Sequence, residues 1–218
     1  MVTGFAFIAS RTINSPVFIC TPNIGKFFDK LNLSEPLKPF DVSQHCFAMK
    51  GSQYERELKG ILEGDEQVLQ KNIKSCSTVE KENYLKIQEK PFAVIRAAGS
   101  LGIDLVAVRG DVSFLIEIKS SSSETLHFST MAGKLQQQAE SMKSNCEKTK
   151  TLPLYAFRLK NYRGDSWRIF TLDVTDLEGR LGIVHRRLPI LDRSKNNNYI
   201  MRWHHGMPLS EFVAYLNR

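Results

Sequence analysis

The sequence of 218 residues lacks the features of several protein classes. Its only cysteines, Cys20, Cys46, Cys76 and Cys146, form no CxxC pair, which disfavours a zinc finger and predicts reduced thiols in a cytoplasmic protein. No apolar run approaches the roughly 18 residues that a membrane-spanning helix needs, so we expect no membrane partner. Eight prolines and 13 glycines are too few for a fibrous or low-complexity chain.

Basic residues outnumber acidic ones, with 30 Lys and Arg against 23 Asp and Glu, for a net charge of +7. A basic chain tends to bind polyanions such as nucleic acid, although many basic proteins bind nothing anionic. The excess is uneven, because residues 51–178 carry 18 charges of each sign while residues 179–218 carry seven basic and two acidic residues. We therefore expect residues 179–218 to hold additional nucleic acid.

The patterning divides the chain into three zones. Residues 1–49 form an amino-terminal extension that matches no recognisable fold pattern. Residues 50–178 are the most regularly patterned and form the predicted central domain, with a polar insertion at about 64–90 that is expected to contain a helix. Residues 179–218 form a basic carboxy-terminal extension with a short helix near its end.

The central domain alternates between helical and strand-like periodicity. Apolar spacing predicts helices over 52–63 and 131–148, and strands over 92–98, 103–109, 112–119, 153–159 and 166–172. Gly110 and Asp111 predict a hairpin turn between the second and third strands. The resulting order, α-β-β-β-α-β-β, predicts a mixed sheet with helices packed on it, an α/β or α+β fold.

Charged residues interrupt two of the apolar strands. Glu117 and Lys119 share one face of the strand 112–119, and Asp104 lies near the start of the preceding strand. A charge is seldom placed in a core strand unless it is paired or ligated, because its desolvation costs several kcal/mol. If the chain turns at Gly110, the hairpin brings Asp104 close to the other two side chains. A structural ion-pair network on the sheet is the alternative explanation.

This grouping of side chains suits metal-assisted cleavage of a phosphodiester. Carboxylate oxygens of Asp104 and Glu117 are the ligands that Mg²⁺ or Mn²⁺ prefers. The metal lowers the pKa of a bound water, and Lys119 would orient that water or stabilise charge on the phosphate. Glu55, at the edge of the apolar face of the first helix, could complete the metal shell, with Glu57 as its rival.

The pattern D-x12-E-x-K is typical of the PD-(D/E)xK nuclease superfamily. Its surroundings resemble the archaeal Holliday junction resolvases over about residues 50–172. The resemblance rests on the segments Gly51–Leu58 (GSQYEREL), Phe92–Ser100 (FAVIRAAGS), Asp104–Ala107 (DLVA), Ile116–Lys119 (IEIK), Pro153–Phe157 (PLYAF) and Trp167–Phe170 (WRIF).

The resemblance implies a restriction-endonuclease-like core, carrying the two extensions, in a homodimer that nicks a four-way DNA junction using Mg²⁺. Two equivalent active sites then cut two equivalent strands across a two-fold axis. It implies four catalytic residues, of which the three acids also hold the metal: Glu55, Asp104, Glu117 and Lys119. It further implies DNA contacts from Arg56, Arg96 and Ser100.

The insertion and the two extensions depart from the family and leave the substrate open. A similar core can cut flaps, damaged DNA or foreign duplex, and a scaffold protein can keep a nuclease fold without activity. Arg56 and Arg96 could instead be ordinary surface arginines. Tyr199 and Trp203, which lie in a basic stretch, either stack on bases or belong to a small hydrophobic core.

Overall fold

The computed structural model describes residues 49–97, 102–129 and 133–218. These residues all lie in one compact unit. The predicted extension 1–49 therefore lies, apart from Met49, outside the described residues. The same holds for Ser100, the third residue predicted to contact DNA.

The described residues form six α-helices and nine strands. The helices are α1 Met49–Leu62, α2 Glu66–Asn72, α3 Thr78–Leu85, α4 Lys134–Thr149, α5 Gly179–Arg187 and α6 Leu209–Leu216. The strands are β1 Ala93–Arg96, β2 Leu105–Arg109, β3 Val112–Ser121, β4 Thr125–His127, β5 Leu152–Leu159, β6 Trp167–Thr171, β7 Asp192–Arg193, β8 Tyr199–Arg202 and β9 Met207–Pro208.

Two sheets organise these strands. The main sheet has the order β1-β2-β3-β5-β6-β9, in which only β3 and β5 run parallel and the other neighbours are antiparallel. A smaller sheet has the order β4-β8-β7. The prediction of a mixed α/β fold is therefore confirmed. The small sheet was not predicted, since strands of two to four residues carry little periodicity. The helix α5 was not predicted either.

Local sequence signals explain the helices of the polar insertion. The carboxylate of Asp65 caps α2 by accepting the N–H of Val68 at 2.9 Å. Ser77 and Glu80 form a capping box at the start of α3, which satisfies two backbone donors that have no partner within the helix. The insertion thus holds two helices, where the sequence predicted one.

The main sheet buries apolar side chains on both faces. One cluster packs the sheet against α1, α3 and α6, with Leu58, Tyr84 and Phe212 at its centre. The other packs it against α4 and the small sheet. Tyr199 and Trp203, 0% and 2% exposed, lie in this second cluster and are core residues, so they do not stack on bases. Burying each such side chain contributes about 1.5–3 kcal/mol.

A buried carboxylate ties three distant segments together. One oxygen of Asp165 accepts hydrogen bonds from the Tyr84 hydroxyl of α3 at 2.7 Å and from the Trp167 N–H of β6 at 3.2 Å. Its other oxygen accepts the Ser210 N–H of α6 at 2.8 Å. Because these donors come from the insertion, the sheet and residues 179–218, all three segments pack as one body around Asp165.

The described part of the chain carries no helix that is both long and apolar enough to cross a membrane. Cys76 and Cys146 are free and buried. Burial raises the pKa of the Cys76 thiol to about 12 and raises that of Cys146, so both thiols stay protonated at neutral pH.

Candidate active site

The candidate site lies at the edge of the main sheet where β1 ends and β2 begins, beside the second half of β3. Asp104 immediately precedes β2, and its backbone N–H donates to the carbonyl of Ile116 at 2.9 Å. Leu105 pairs with Ile116 in the β2–β3 ladder, so the antiparallel register continued by one residue sets Asp104 opposite Glu117. One oxygen of Asp104 accepts the Ile118 N–H at 2.7 Å, which fixes the carboxylate against β3.

Glu117, Lys119 and Gln138 form a closed hydrogen-bonded group. The Oε1 atom of Glu117 accepts the Lys119 ammonium at 2.5 Å and the Gln138 amide N–H at 2.9 Å. The Lys119 Nζ atom also donates to the Gln138 Oε1 atom at 3.2 Å. The second oxygen of Glu117, Oε2, is buried and has no hydrogen-bond partner among the described residues.

The site shifts the acidity of both strand carboxyls. Burial raises the pKa of Glu117 to about 7, and the charge of Asp104 adds to this, whereas the Lys119 ammonium opposes it. Burial also raises the pKa of Asp104, with the Ile118 N–H opposing. Glu117 is 3% exposed, so desolvation outweighs the ion pair. Ionising two adjacent buried carboxyls is costly, and a bound cation would stabilise their ionised forms. The two side chains therefore form a candidate cation site.

Glu55 of α1 approaches the site from the neighbouring side. Its Oε2 atom accepts two hydrogen bonds from the Arg96 guanidinium, at 2.5 and 3.0 Å. The negative charge of Glu55 also contributes to the raised pKa of Asp104, so the two acids interact electrostatically. Arg96, whose side chain is 40% exposed, therefore belongs to this charged group as well.

Glu57, the rival of Glu55, faces a different part of the molecule. Its Oε1 atom accepts the Arg158 Nε–H at 3.1 Å and the Trp167 indole N–H at 2.9 Å. These bonds brace α1 against β5 and β6, away from Asp104. Arg56 lies between the two acids in sequence, is exposed and forms no hydrogen bond or ion pair with another described residue.

The carboxylates of the candidate site suit a divalent metal that keeps several water ligands. No group of three or more His, Cys, Asp or Glu side chains within residues 49–97, 102–129 and 133–218 is arranged to hold a metal by itself. Mg²⁺, however, is commonly held by one or two carboxylates, with water and substrate phosphate as the other ligands. The Oε2 atom of Glu117, which has no partner among the described residues, and the carboxylate of Asp104, which interacts electrostatically with Glu117, fit that mode of binding.

Gln138 is a site residue that the sequence analysis missed. It lies on α4, one helical turn before Met142 and beside Ala139, both of which are fully buried. An amide on the apolar face of a helix indicates a specific hydrogen-bonding role, since a buried polar group requires a partner. The partner could not be identified from the sequence, because Glu117 is 21 residues away on a different element.

The chain belongs to a family of nucleases. The sequence model described as archaeal Holliday junction resolvase (Hjc) matches residues 71–187, more than half of the chain, so the protein is a member of the Hjc family. The matched range contains Arg96, Asp104, Glu117 and Lys119, and it begins after the predicted acid Glu55 on α1. The resemblance to archaeal Holliday junction resolvases is therefore confirmed.

Among solved structures, the chain is similar to Hjc from Archaeoglobus fulgidus, a Holliday junction resolvase from an archaeal hyperthermophile. The two share 19% sequence identity, and the alignment covers 58% of this chain and 89% of that chain with a TM-score of 0.38. No curated protein matches the chain.

Proposed function

We propose that the protein is a Mg²⁺-dependent, structure-selective DNA endonuclease that hydrolyses phosphodiester bonds at four-way junctions. The observation that carries this proposal is the carboxylate of Glu117. One of its oxygens is held by Lys119 and Gln138, while the other is buried without a hydrogen-bond partner within the part of the chain that the structure describes. A structural ion pair explains the first oxygen but leaves the second one unexplained.

In this proposal Glu117 and Asp104 hold the metal, Glu55 adds a third carboxylate, and Mn²⁺ can substitute for Mg²⁺. When bound, the cation supplies a water of lowered pKa and positive charge beside the scissile phosphate. Lys119 donates a hydrogen bond to the attacking water or to the phosphate oxygen that gains charge. Gln138 acts through Lys119, because its amide holds the ammonium beside Glu117.

The proposed DNA contacts are Arg56, Arg96 and Ser100. Arg56 has no protein partner among the described residues and is exposed, so a phosphate can reach its guanidinium directly. Arg96 already binds Glu55, and contact with a phosphate would require it to share or exchange that partner. Arginine suits both roles because its planar fork binds phosphate and carboxylate through paired hydrogen bonds.

We further propose that the protein acts as a homodimer in the cytoplasm. Ile95 of β1 and Val108 of β2 are 63% and 43% exposed. Ile95 pairs with Val106, which lies two residues from Val108 on the same side of β2, so the two exposed side chains share one face of the sheet. Apolar patches of this kind mark protein interfaces. Sedimentation equilibrium tests the proposal, and a monomer at micromolar concentration would refute it.

The decisive experiment compares four DNA substrates of equal length: a four-way junction, a flap, a mismatched duplex and a linear duplex. We expect symmetric nicks in the junction with Mg²⁺, little cutting of linear duplex and no cutting in EDTA. Preferential cutting of the flap or mismatch would keep the chemistry and replace the substrate. Tight junction binding without cleavage in either Mg²⁺ or Mn²⁺ would identify a non-catalytic scaffold.

A further inference from the structure

A cavity of about 360 Å³ lies between α1, α2 and the turn that joins β5 to β6, separate from the Asp104 and Glu117 carboxylates. Its size falls within the roughly 300–1,000 Å³ that is typical of small-molecule clefts. Among its lining residues are Arg56 and Glu57 of α1, Lys71 of α2, Arg158 of β5 and Tyr162 of the turn. Lys71 lies in the polar insertion, so this insertion builds one wall of the cavity.

The lining of the cavity carries excess positive charge. Glu57 is its acid, and the ion pair with Arg158 at 3.1 Å neutralises it. Arg56 and Lys71 are both exposed, and neither forms a hydrogen bond or ion pair with another residue in the described part of the chain. Two unpaired cations facing one cleft favour an anionic ligand such as a phosphate.

An aromatic ring lies on the opposite wall. Tyr162 is 43% exposed, which is unusual for a tyrosine that a neighbouring indole holds in place: its ring centroid lies 4.5 Å from that of the buried Trp203. The Arg168 guanidinium covers Trp203 at 3.7 Å and fixes that indole in turn. A rigid, exposed aromatic ring provides a stacking surface for a nucleobase.

The cavity lies near the same edge of the sheet as the candidate active site. Lys119 of β3 pairs with Phe157 of β5, and the next pair in this parallel ladder is Ser120 with Arg158. Because side chains alternate between the two faces along a strand, Lys119 faces α4 whereas Arg158 faces α1, so the cavity and the candidate active site lie on opposite faces of the sheet at neighbouring strand positions. The first half of α1 extends along this edge, with Glu55 bound to Arg96 on β1 and Glu57 bound to Arg158 on β5.

We propose that this cavity binds a nucleoside 5′-phosphate, with its phosphate at Arg56 and Lys71 and its base against Tyr162. The nucleotide comes either from an unpaired position of the DNA substrate or from free nucleotide in solution. The first source rests on the proposed function, since it requires DNA at the neighbouring site. The second does not.

Titration calorimetry with dTMP and with thymidine tests the binding chemistry in the full-length protein. We expect dTMP to bind saturably, thymidine to bind at least about tenfold more weakly, and Lys71→Glu to weaken dTMP binding by about tenfold or more, because a charge-assisted contact is lost. Lys74→Glu is the matched control, because Lys74 is exposed on the next helical turn and does not line the cavity. Lys71→Gln separates loss of the contact from charge reversal.

Competition with a four-way junction in Ca²⁺ separates the two sources. Displacement of dTMP by the junction assigns the cavity to a nucleotide of the DNA, and undisturbed dTMP binding assigns it to free nucleotide. Absence of dTMP binding, or equal effects of the Lys71 and Lys74 variants, overturns the inference. These readouts are independent of cleavage, so a protein that binds dTMP through Lys71 but cuts no DNA would refute only the proposed function.

Discussion

Lys119 binds one oxygen of the Glu117 carboxylate at 2.5 Å, and the other oxygen of that carboxylate is buried without a hydrogen-bond partner among the described residues. The two side chains lie on the same face of β3 because they are two residues apart. The Lys119 ammonium therefore lies beside Oε1 of Glu117, and Oε2 remains available to another ligand. A bridge whose only role is structural would leave the second oxygen unexplained, and for this reason we propose that oxygen as a metal ligand.

Removing either side chain should abolish catalysis without abolishing DNA binding. We expect Glu117→Gln and Lys119→Ala to lower junction cleavage in Mg²⁺ by about a hundredfold or more, because each removes metal binding or charge stabilisation in the transition state. The affinity for the junction, measured by gel shift in Ca²⁺, should stay within about threefold of the wild-type value. Most of this affinity comes from counterion release at the phosphates, which these substitutions leave largely unchanged. Lys143→Ala, on the partly exposed Lys143–Glu147 pair of α4, is the control. Wild-type cleavage by Lys119→Ala would contradict this assignment.

The stability of the metal-free protein should fall as the pH rises towards neutrality. Glu117 has a pKa of about 7 in the folded protein against 4.5 in an unfolded chain. Its stabilising contribution is therefore fully present below pH 4.5 and is lost progressively between pH 4.5 and about 7, by about 3 kcal/mol in total. Urea unfolding in EDTA between about pH 4 and 8 measures this.

The matched variant for that experiment is Glu117→Gln, which has no carboxyl to ionise at this position. We expect its unfolding free energy to depend less on pH than that of the wild type, with the two curves diverging between about pH 4.5 and 7 and running parallel above that range. Added Mg²⁺ should stabilise the wild type at pH 8 and leave the variant nearly unchanged. Parallel curves for the two proteins in EDTA over the whole range would rule out the raised pKa of Glu117.

The two acids on α1 should have separable effects. We expect Glu55→Gln to lower cleavage by about tenfold or more and to change stability by less than about 1 kcal/mol, because its ion pair with Arg96 is partly exposed. Glu57→Ala should instead destabilise the fold by about 1–3 kcal/mol, because it leaves Arg158 and the Trp167 indole N–H without their acceptor. Thermal unfolding and single-turnover cleavage of both variants separate these effects. Reversed outcomes would make Glu57 the functional acid.

Gln138 is a positioning residue whose loss should change the pH profile of the reaction. The Gln138 N–H helps lower the pKa of Glu117, so Gln138→Ala should raise that pKa. We expect the acidic limb of the cleavage profile to move to higher pH, together with a rate loss of about tenfold from the displaced ammonium. The neighbouring exposed Gln137 provides the control substitution. A uniform rate loss with an unmoved profile would indicate a structural role only.

The proximity of Asp104 and Glu117 could be predicted from the sequence, whereas the other contacts of the candidate site could not. Strand periodicity and the turn at Gly110 were sufficient to bring Asp104 and Glu117 onto adjacent strands, because hairpin register is a local property. The pairing of Glu55 with Arg96 spans 41 positions and depends on how α1 docks on the sheet, which no local pattern encodes. Tyr199 and Trp203 are core residues for a similar reason, since their burial depends on the unpredicted small sheet.

The three hydrogen bonds to Asp165 have a consequence for how this chain can be divided. Tyr84 belongs to α3, inside the range 71–187 that the family model matches, whereas Ser210 belongs to the last 40 residues, which lie mostly beyond that range. Because a single buried carboxylate joins both to β6, neither part is a detachable accessory. We expect truncation at residue 178 or excision of 64–90 to unfold the nuclease sheet rather than to yield a smaller enzyme. A substitution as remote from the scissile bond as Tyr84→Phe should then reduce activity simply by lowering the fraction of molecules that are folded at elevated temperature.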